Sequence, residues 1–322
     1  MNVSRRVVCA AAFAPPLSAC QPSAPTLEGA FPAKDITFII PVGAGGGLDV
    51  YARLVGSAME ENLPRRVNVV PYNVPSGGGG KGVTQLFRAR PDGHTIGILN
   101  IPGIFVLQRV RHIPHDFGAF TWLGALTLGE NYGVAVSGAS PIRTFEELRS
   151  LSRQRPITLA ATGPEGTGYT ATVIGAQMLG LRSRVVTGYR SSTDYVIGAL
   201  RGDTDAVIST LTAIKRLHGQ LRIIATFETE STVPGAPDAT DLGVPELSKL
   251  MGMRAIAAPP NTSPEIAAVL ADALAKAARN KRVVRWARAN GEVISPQTPE
   301  QARAVAEERR AFLDRFSNLI GA

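Results

Sequence analysis

Cysteine is nearly missing from this chain of 322 residues: Cys9 and Cys20 are the only two, and both fall within the first twenty positions. Beyond Cys20 no disulfide can form and no cysteine-based metal site can be assembled. Histidine is scarce too, at four residues. His112 and His115, with Asp116, come nearest to a metal cluster, but Pro114 interrupts RHIPHDFG, and zinc sites need cleaner ligand spacing and a second shell. Neither H-E-x-x-H nor G-x-S-x-G occurs. No apolar run reaches the roughly 18 residues of a membrane-spanning helix. The formal charge is +8, yet Lys and Arg are scattered, with no run of five or six and little aromatic interleaving. That pattern reads as a solvated basic surface and argues against a nucleic-acid partner. What is there is ordinary for a globular protein, 44% hydrophobic and 19% charged, and the length suggests two domains.

The first twenty residues stand apart. A basic start, MNVSRR, precedes a short apolar core, VVCAAAFA, and then PPLSAC, the layout of an export signal. Leu17-Ser18-Ala19-Cys20 resembles the bacterial lipobox, in which the cysteine is lipidated and becomes the mature N-terminus. Ser4-Arg5-Arg6-Val7-Val8 loosely resembles a twin-arginine signal, with Sec export equally open. Residues 21–34, QPSAPTLEGAFPAK, are rich in Pro, Ala and Ser and read as a flexible tether.

Two glycine clusters follow, PVGAGGGLDV from Pro41 and PSGGGGKGV from Pro75. A Walker loop with Lys81 as its lysine would need glycine where Pro75 stands and a hydroxyl where Gly82 stands. Gly77, Gly79 and Gly82 formally meet G-x-G-x-x-G, but the acidic partner about twenty residues on is lacking, since Asp92 sits in the turn-like PDGH. Nucleotide binding is therefore not the expectation.

Periodicity places the clusters. Residues 35–40 form an apolar strand stopped by Pro41, and apolar residues at 48, 51, 54, 55, 58, 59 and 63 have helical spacing. Val67–Val70 is a second strand; Val83, Leu86 and Phe87 share a helix face; Thr95–Ile101 is a third strand. Both clusters thus fall at strand C-termini ahead of helix N-termini, where open α/β sheets bind ligands. Free N–H groups and the helix dipole favour an anion there. Glycine also serves turns that need positive φ, but two clusters at equivalent edges favour a pocket. The middle of the chain repeats the style with strands at 157–161, 185–186 and 222–226, helices at 171–178 and 194–200, and a turn and strand in GDTDAVIST. The end is helical: Ser263 caps a helix with Pro264 at its first position, 283–290 is a further segment, and Thr298–Gln301 is a capping box.

As an ordered set these motifs resemble the Bug-type substrate-binding proteins of tripartite tricarboxylate transporters. The match runs through Pro32, Lys34, Ile36, Pro41, Gly45–Gly47, Asp49, Ala52 and Arg53, then Asn73 to Gly79, then Arg90 to Thr95. Gly163 to Thr167, Tyr189 to Ser191 and Ala257 to Pro264 also fit, so the resemblance covers nearly the whole mature chain. It implies a two-domain α/β periplasmic-binding-protein fold of the Venus-flytrap, type II-like kind, each domain a mainly parallel sheet with flanking helices. It implies domains at 35–128 with 253–322 and at 129–252, after a signal over 1–20. It implies a monomeric, non-enzymatic receptor without cofactor or metal, which binds a small carboxylate and delivers it to a membrane permease of the tripartite type. The ligand site carried over comprises Gly43, Ala44, Gly45, Gly46, Asp49, Ser76, Gly77, Gly78 and Gly79, with Thr162, Gly166, Thr167, Tyr189 and Arg190 from the second domain. A lipid at Cys20 would hold the protein on the periplasmic face of a membrane.

The chain departs from the family pattern in places. Ser76 replaces a usual glycine, Lys81 and Gly82 replace another pair, and His94 replaces a usual tyrosine. Lys81 either adds charge near the pocket or points into solvent; Glu165 either selects an amine-bearing or less acidic ligand or is a solvated loop residue. Two further functions stay open at this level. One is a lipoprotein sensor presenting its ligand state to a signalling partner. The other is a small-molecule enzyme on the same fold, although no pair among Glu130, Glu165, Asp194, Asp203 and Asp205 is marked as general acid and base.

Overall fold

The computed structural model describes residues 31–45, 47–75, 79–164, 166–189, 191–289 and 294–320. The expected signal, Cys20, and the expected ligand residues Gly46, Ser76, Gly77, Gly78 and Arg190 lie outside them, as does Glu165. The first sheet is built from β1 (Ile36–Ile40), α1 (Gly47–Glu60), β2 (Val69–Asn73), α2 (Gly80–Phe87), β3 (Thr95–Ile101), α3 (Gly103–Val110) and β4 (Thr121–Glu130). The chain then passes into a second sheet, with β5 (Tyr132–Ser137), α4 (Phe145–Gln154), β6 (Ile157–Ala160), α5 (Thr167–Met178) and β7 (Ser183–Val186), followed by α6 (Ser192–Arg201), β8 (Ala206–Thr210), α7 (Leu211–Lys215) and β9 (Leu221–Thr226). It returns with β10 (Gly252–Ala258) to the first sheet and ends in α8 (Pro264–Ala278), α9 (Lys281–Ala289) and α10 (Pro299–Asp314).

The strand orders are β2-β1-β3-β10-β4 and β7-β6-β8-β5-β9. β1 runs parallel to β2 and β3, and β6 parallel to β7 and β8. β10 is antiparallel to β3 and β4, and β5 antiparallel to β8 and β9. Each sheet is therefore mixed, where a mainly parallel one was expected. The parallel half is the helix-linked half, because a parallel return needs a long crossover. β5 follows β4 directly from the other sheet, β10 follows β9 after a passage whose one helix is the short 3-10 turn Pro245–Leu250, and both run against their neighbours.

Burial follows the strand pleat. Ile36, Phe38 and Ile40 face α1, α8 and α9, packing with Tyr51, Met59, Leu270 and Val283. Ile39 faces the other way, into a core with Leu86, Phe105 and Phe312 from α2, α3 and α10. The predicted caps are in place: Ser263 Oγ accepts from Ile266 N–H, and Thr298 with Gln301 forms a reciprocal capping box. The last residues of the expected tether, 31–34, have fixed places instead. Phe31 sits edge-on to His94 at 5.2 Å, and Ala33 N–H donates to His94 Nε2 at 3.1 Å. His94 thus braces Phe31 and Ala33.

Two polar systems, one buried and one at the surface, hold the crossings and the second sheet. Arg309 on α10 is 6% exposed and donates from one Nη to the carbonyls of Lys249, at 2.7 Å, and Met251, just before β10. Arg155, after α4, grips Asp205 with both guanidinium nitrogens, at 2.6 and 2.9 Å. Asp205 Oδ2 also accepts from the N–H and hydroxyl of Thr158, at 2.7 and 2.8 Å. The Arg155 hydrogen bonds hold the Asp205 carboxyl down at about 2, from 3.8, and the Thr158 bonds assist against the opposing effect of burial.

Replacing Arg309 by methionine leaves two backbone carbonyls without their donor, and is expected to cost about 2–4 kcal/mol of stability in urea denaturation. Asp205 has a depressed folded-state pKa, so its stabilisation is complete above the unfolded value of 3.8 and disappears as pH falls through about 2. Asp205→Asn is expected to flatten the stability loss across that window, checked by denaturation curves at each pH.

Candidate functional site

The two glycine turns meet at the C-terminal ends of β1 and β2. Val74 N–H donates to Ile40 O at 2.9 Å, and Asn73 Nδ2 donates to Val42 O at 3.0 Å. Asp49, 2% exposed in the first turn of α1, ties them. Its carboxylate accepts from Gly45 N–H at 2.9 Å, Arg53 Nε at 3.0 Å and Asn73 Nδ2 at 2.7 Å. Arg53 in turn donates to Asn73 Oδ1 at 2.7 Å. Burial alone would raise the Asp49 pKa, but the hydrogen bonds from Arg53, Gly45 and Asn73 outweigh it and hold the carboxyl below its usual value. Asp49 and the Gly45 N–H were expected to touch ligand; the structure engages them in shaping the turn. Such pairing is what a buried carboxylate needs.

The second cluster owes its glycines partly to packing. Gly79 has φ 98°, and a Cβ there would lie 2.7 Å from Pro41 O. A Cβ on Gly82 would lie 3.1 Å from Pro41 Cα. The start of α2 therefore rests directly on the end of β1. Lys81 is exposed.

Across from these turns stand the N-termini of α5 and α6, and the space between is a cleft of two joined chambers. One, of about 520 Å³, is lined by Pro41, Val83, Ile104, Leu107, Pro164 and Tyr189, with Gly79, Gly103 and Gly163. The other, of about 390 Å³, is lined by Tyr132, Ser192, Tyr195, Thr210, Arg216 and Arg254 among others. Val42, Leu48, Asn100, Thr162, Gly166 and Thr167 border both. The N-termini of α3 and α5 approach closely here, since a Cβ on Gly103 would lie 2.8 Å from Thr167 Cγ2.

Of the expected residues, Gly79, Thr162, Gly166, Thr167 and Tyr189 line the cleft, while Gly43, Ala44 and Gly45 lie exposed on the turn beside Val42. Tyr189 donates to Asp203 at 3.5 Å; burial, then the Asp203 charge, pushes its pKa up. Sequence reading missed Asn100, Tyr132, Tyr195, Arg216 and Arg254. One signal was available: Arg254 is a lone charge in the apolar strand GMRAIAA. Register explains the grouping, for Arg254 lies opposite Asn100 and Tyr132 opposite Thr210, each pair on one sheet face. The RHIPHDFG segment serves structure: His115 stacks on Phe87 at 4.8 Å and accepts from Arg88, and Asp116 accepts from Gly118 N–H and Arg310.

Comparison with known proteins yields a match over residues 51–316 to the model of the tripartite tricarboxylate transporter family receptor, TctC. Protein BugT of Bordetella pertussis is 25% identical over 326 aligned positions, covering 96% of this chain and 95% of its own. Among solved structures, a TctC solute-binding protein from Polaromonas superposes with a TM-score of 0.74 at 20% identity, over 90% of this chain and 99% of that one. An R. palustris protein solved with adipate gives 0.72 at 22% identity, over 90% and 98%.

Gly79→Ala sets a side chain against the Pro41 carbonyl at positive φ. It is expected to cost about 1–3 kcal/mol, seen as a lowered unfolding temperature, with the apolar chamber distorted.

Proposed function

Because this chain belongs to the receptor family of the tripartite tricarboxylate transporters, we propose that it is a periplasmic receptor that binds a small carboxylate in the cleft and passes it to a membrane permease of that type. The carrying observation is the electrostatics of the cleft. Helix N-termini converge on it, Arg254 and Arg216 line it, and its described lining holds no carboxylate side chain. Helix N-termini and arginine both favour an anion. The adipate held by the R. palustris relative supports the choice of a carboxylate.

In this reading the two domains are residues 35–128 with 253–322, and 129–252. The first glycine turn, braced by Asp49 and by the second turn packed on it, offers backbone N–H donors. Gly46, Ser76, Gly77 and Gly78 contribute from the first domain and Arg190 from the second. Ligand bound to one domain recruits the other, and the closed form is what the permease recognises. Cys20, following Leu17-Ser18-Ala19, carries a lipid that keeps the receptor near its permease.

Thermal unfolding of the purified protein against mono-, di- and tricarboxylates, amino acids, phosphate and nucleotides tests the reading. A ligand at 100 times its dissociation constant is expected to add about 2.7 kcal/mol. Stabilisation by carboxylates is the expected result; stabilisation by phosphate or nucleotides alone rejects the proposal.

A further inference from the structure

The cations of this chain are scattered in sequence, but the fold gathers many of them at one corner, away from the cleft. Between Asp272 and Glu292 there are six cations and no acid, and four of the six are on α9: Lys281, Arg282, Arg285 and Arg288. Val283 and Ala287 turn into the core, so these four stand exposed. Lys281, Arg285 and Arg288 form one stripe of the helix, with Val284, 43% exposed, beside them. The contact with the end of α1 adds two more cations. Asn280 Nδ2 donates to Glu61 at 3.0 Å, Arg282 pairs with the same carboxylate, and the exposed Arg65 and Arg66 share a groove with Glu60 and Glu61. With Arg279, seven cations face two glutamates, a net +5, where the whole chain carries +6 once Arg5 and Arg6 are set aside. Glu60 is engaged elsewhere, accepting from Val69 N–H at 2.7 Å. Among the described residues Arg65, Arg66, Arg279, Lys281, Arg285 and Arg288 form no ion pair.

We infer that this corner is a docking surface for an anionic phospholipid bilayer, with the cation stripe of α9 against the headgroups. The choice of a bilayer as partner rests on the lipid anchor proposed above. Three physical arguments support it. The stripe is unfavourable by itself: Lys281 stands in the first turn of α9, at the positive end of the helix dipole, no acid shares that turn, and Lys281 and Arg285 repel at i and i+4. An anionic surface removes both costs. Long cationic side chains around an exposed valine also match a surface that is charged outside and apolar beneath. Finally, the surface is within reach. Phe31 and Ile266 both close over Gly93, and Ile266 lies in the first turn of α8, whose 15 residues lead to α9. Such a helix is about 22 Å long, while the chain from Cys20 to Phe31 extends to about 40 Å.

Co-sedimentation with vesicles tests this on the full chain carrying Cys20→Ser, so that no acyl chain contributes; the mass of the unaltered protein reports the anchor separately. Binding is expected to vesicles containing phosphatidylglycerol and not to phosphatidylcholine alone. It is expected at about 0.1 M salt and to be lost at about 1 M, where the screening length falls from about 10 Å to about 3 Å. Replacing Lys281, Arg285 and Arg288 together by glutamine is expected to lower the partition about 100-fold, roughly fivefold for each cation. Anything contributed by residues 1–20 is common to both proteins and cancels in that ratio. A control removes the same charge from exposed positions around the second sheet, by Arg153→Gln, Arg184→Gln and Arg201→Gln, and is expected to change the partition less than about threefold. Arg65→Gln with Arg66→Gln, on a loop, keeps the test decisive if the α9 variant does not fold. No binding to phosphatidylglycerol vesicles overturns the inference, as does an equal loss in the α9 and control variants. Binding of poly-glutamate through the α9 cations without binding of vesicles also overturns it, in favour of an acidic protein partner.

Discussion

The buried carboxylate of Asp49 is the constraint from which the cleft takes its shape. A charge at 2% exposure persists only with partners, and its partners are the backbone of its own turn, an arginine one helical turn on, and the asparagine that ends β2. Asn73 also reaches the carbonyl of Val42, so one side chain fixes the distance between two loops that are some thirty residues apart. Once that distance is fixed, α2 can only lie on Pro41, and glycine is needed at the contact.

This is why the glycine clusters were readable as a pair but not in detail. Helix-linked strands announce themselves through local period and caps, and β1, β3, α8 and α10 were legible on that basis. β4, β5 and β10 were not. TWLGALTLGE and YGVAVS are broken by glycine, and the partners of β10 lie more than a hundred residues upstream. The same distance hid the polar half of the cleft. Arg254 meets Asn100 only through antiparallel register, which no local pattern encodes. Asp49 was expected at the site; its hydrogen bonds come from groups already on the protein, and sequence spacing does not encode them.

The mixed character of both sheets has the same origin. Strands that arrive without a crossover helix run against their neighbours, and they carry Tyr132 and Arg254 to the cleft from opposite sides. The crossings thus supply Tyr132 and Arg254 to the smaller chamber, while the first glycine turn borders both.

Those crossings are themselves bonded to one another. Glu130 pairs with Gly252 in one ladder, Gly133 pairs with Thr226 in the other, and Asn131 Nδ2 holds Glu228 Oε1 at 2.6 Å between them. Two passages joined in this way form a ribbon. A ribbon bends and twists, but it resists sliding along its length, because sliding breaks the ladder bonds. Sliding of one passage along the other is thereby opposed.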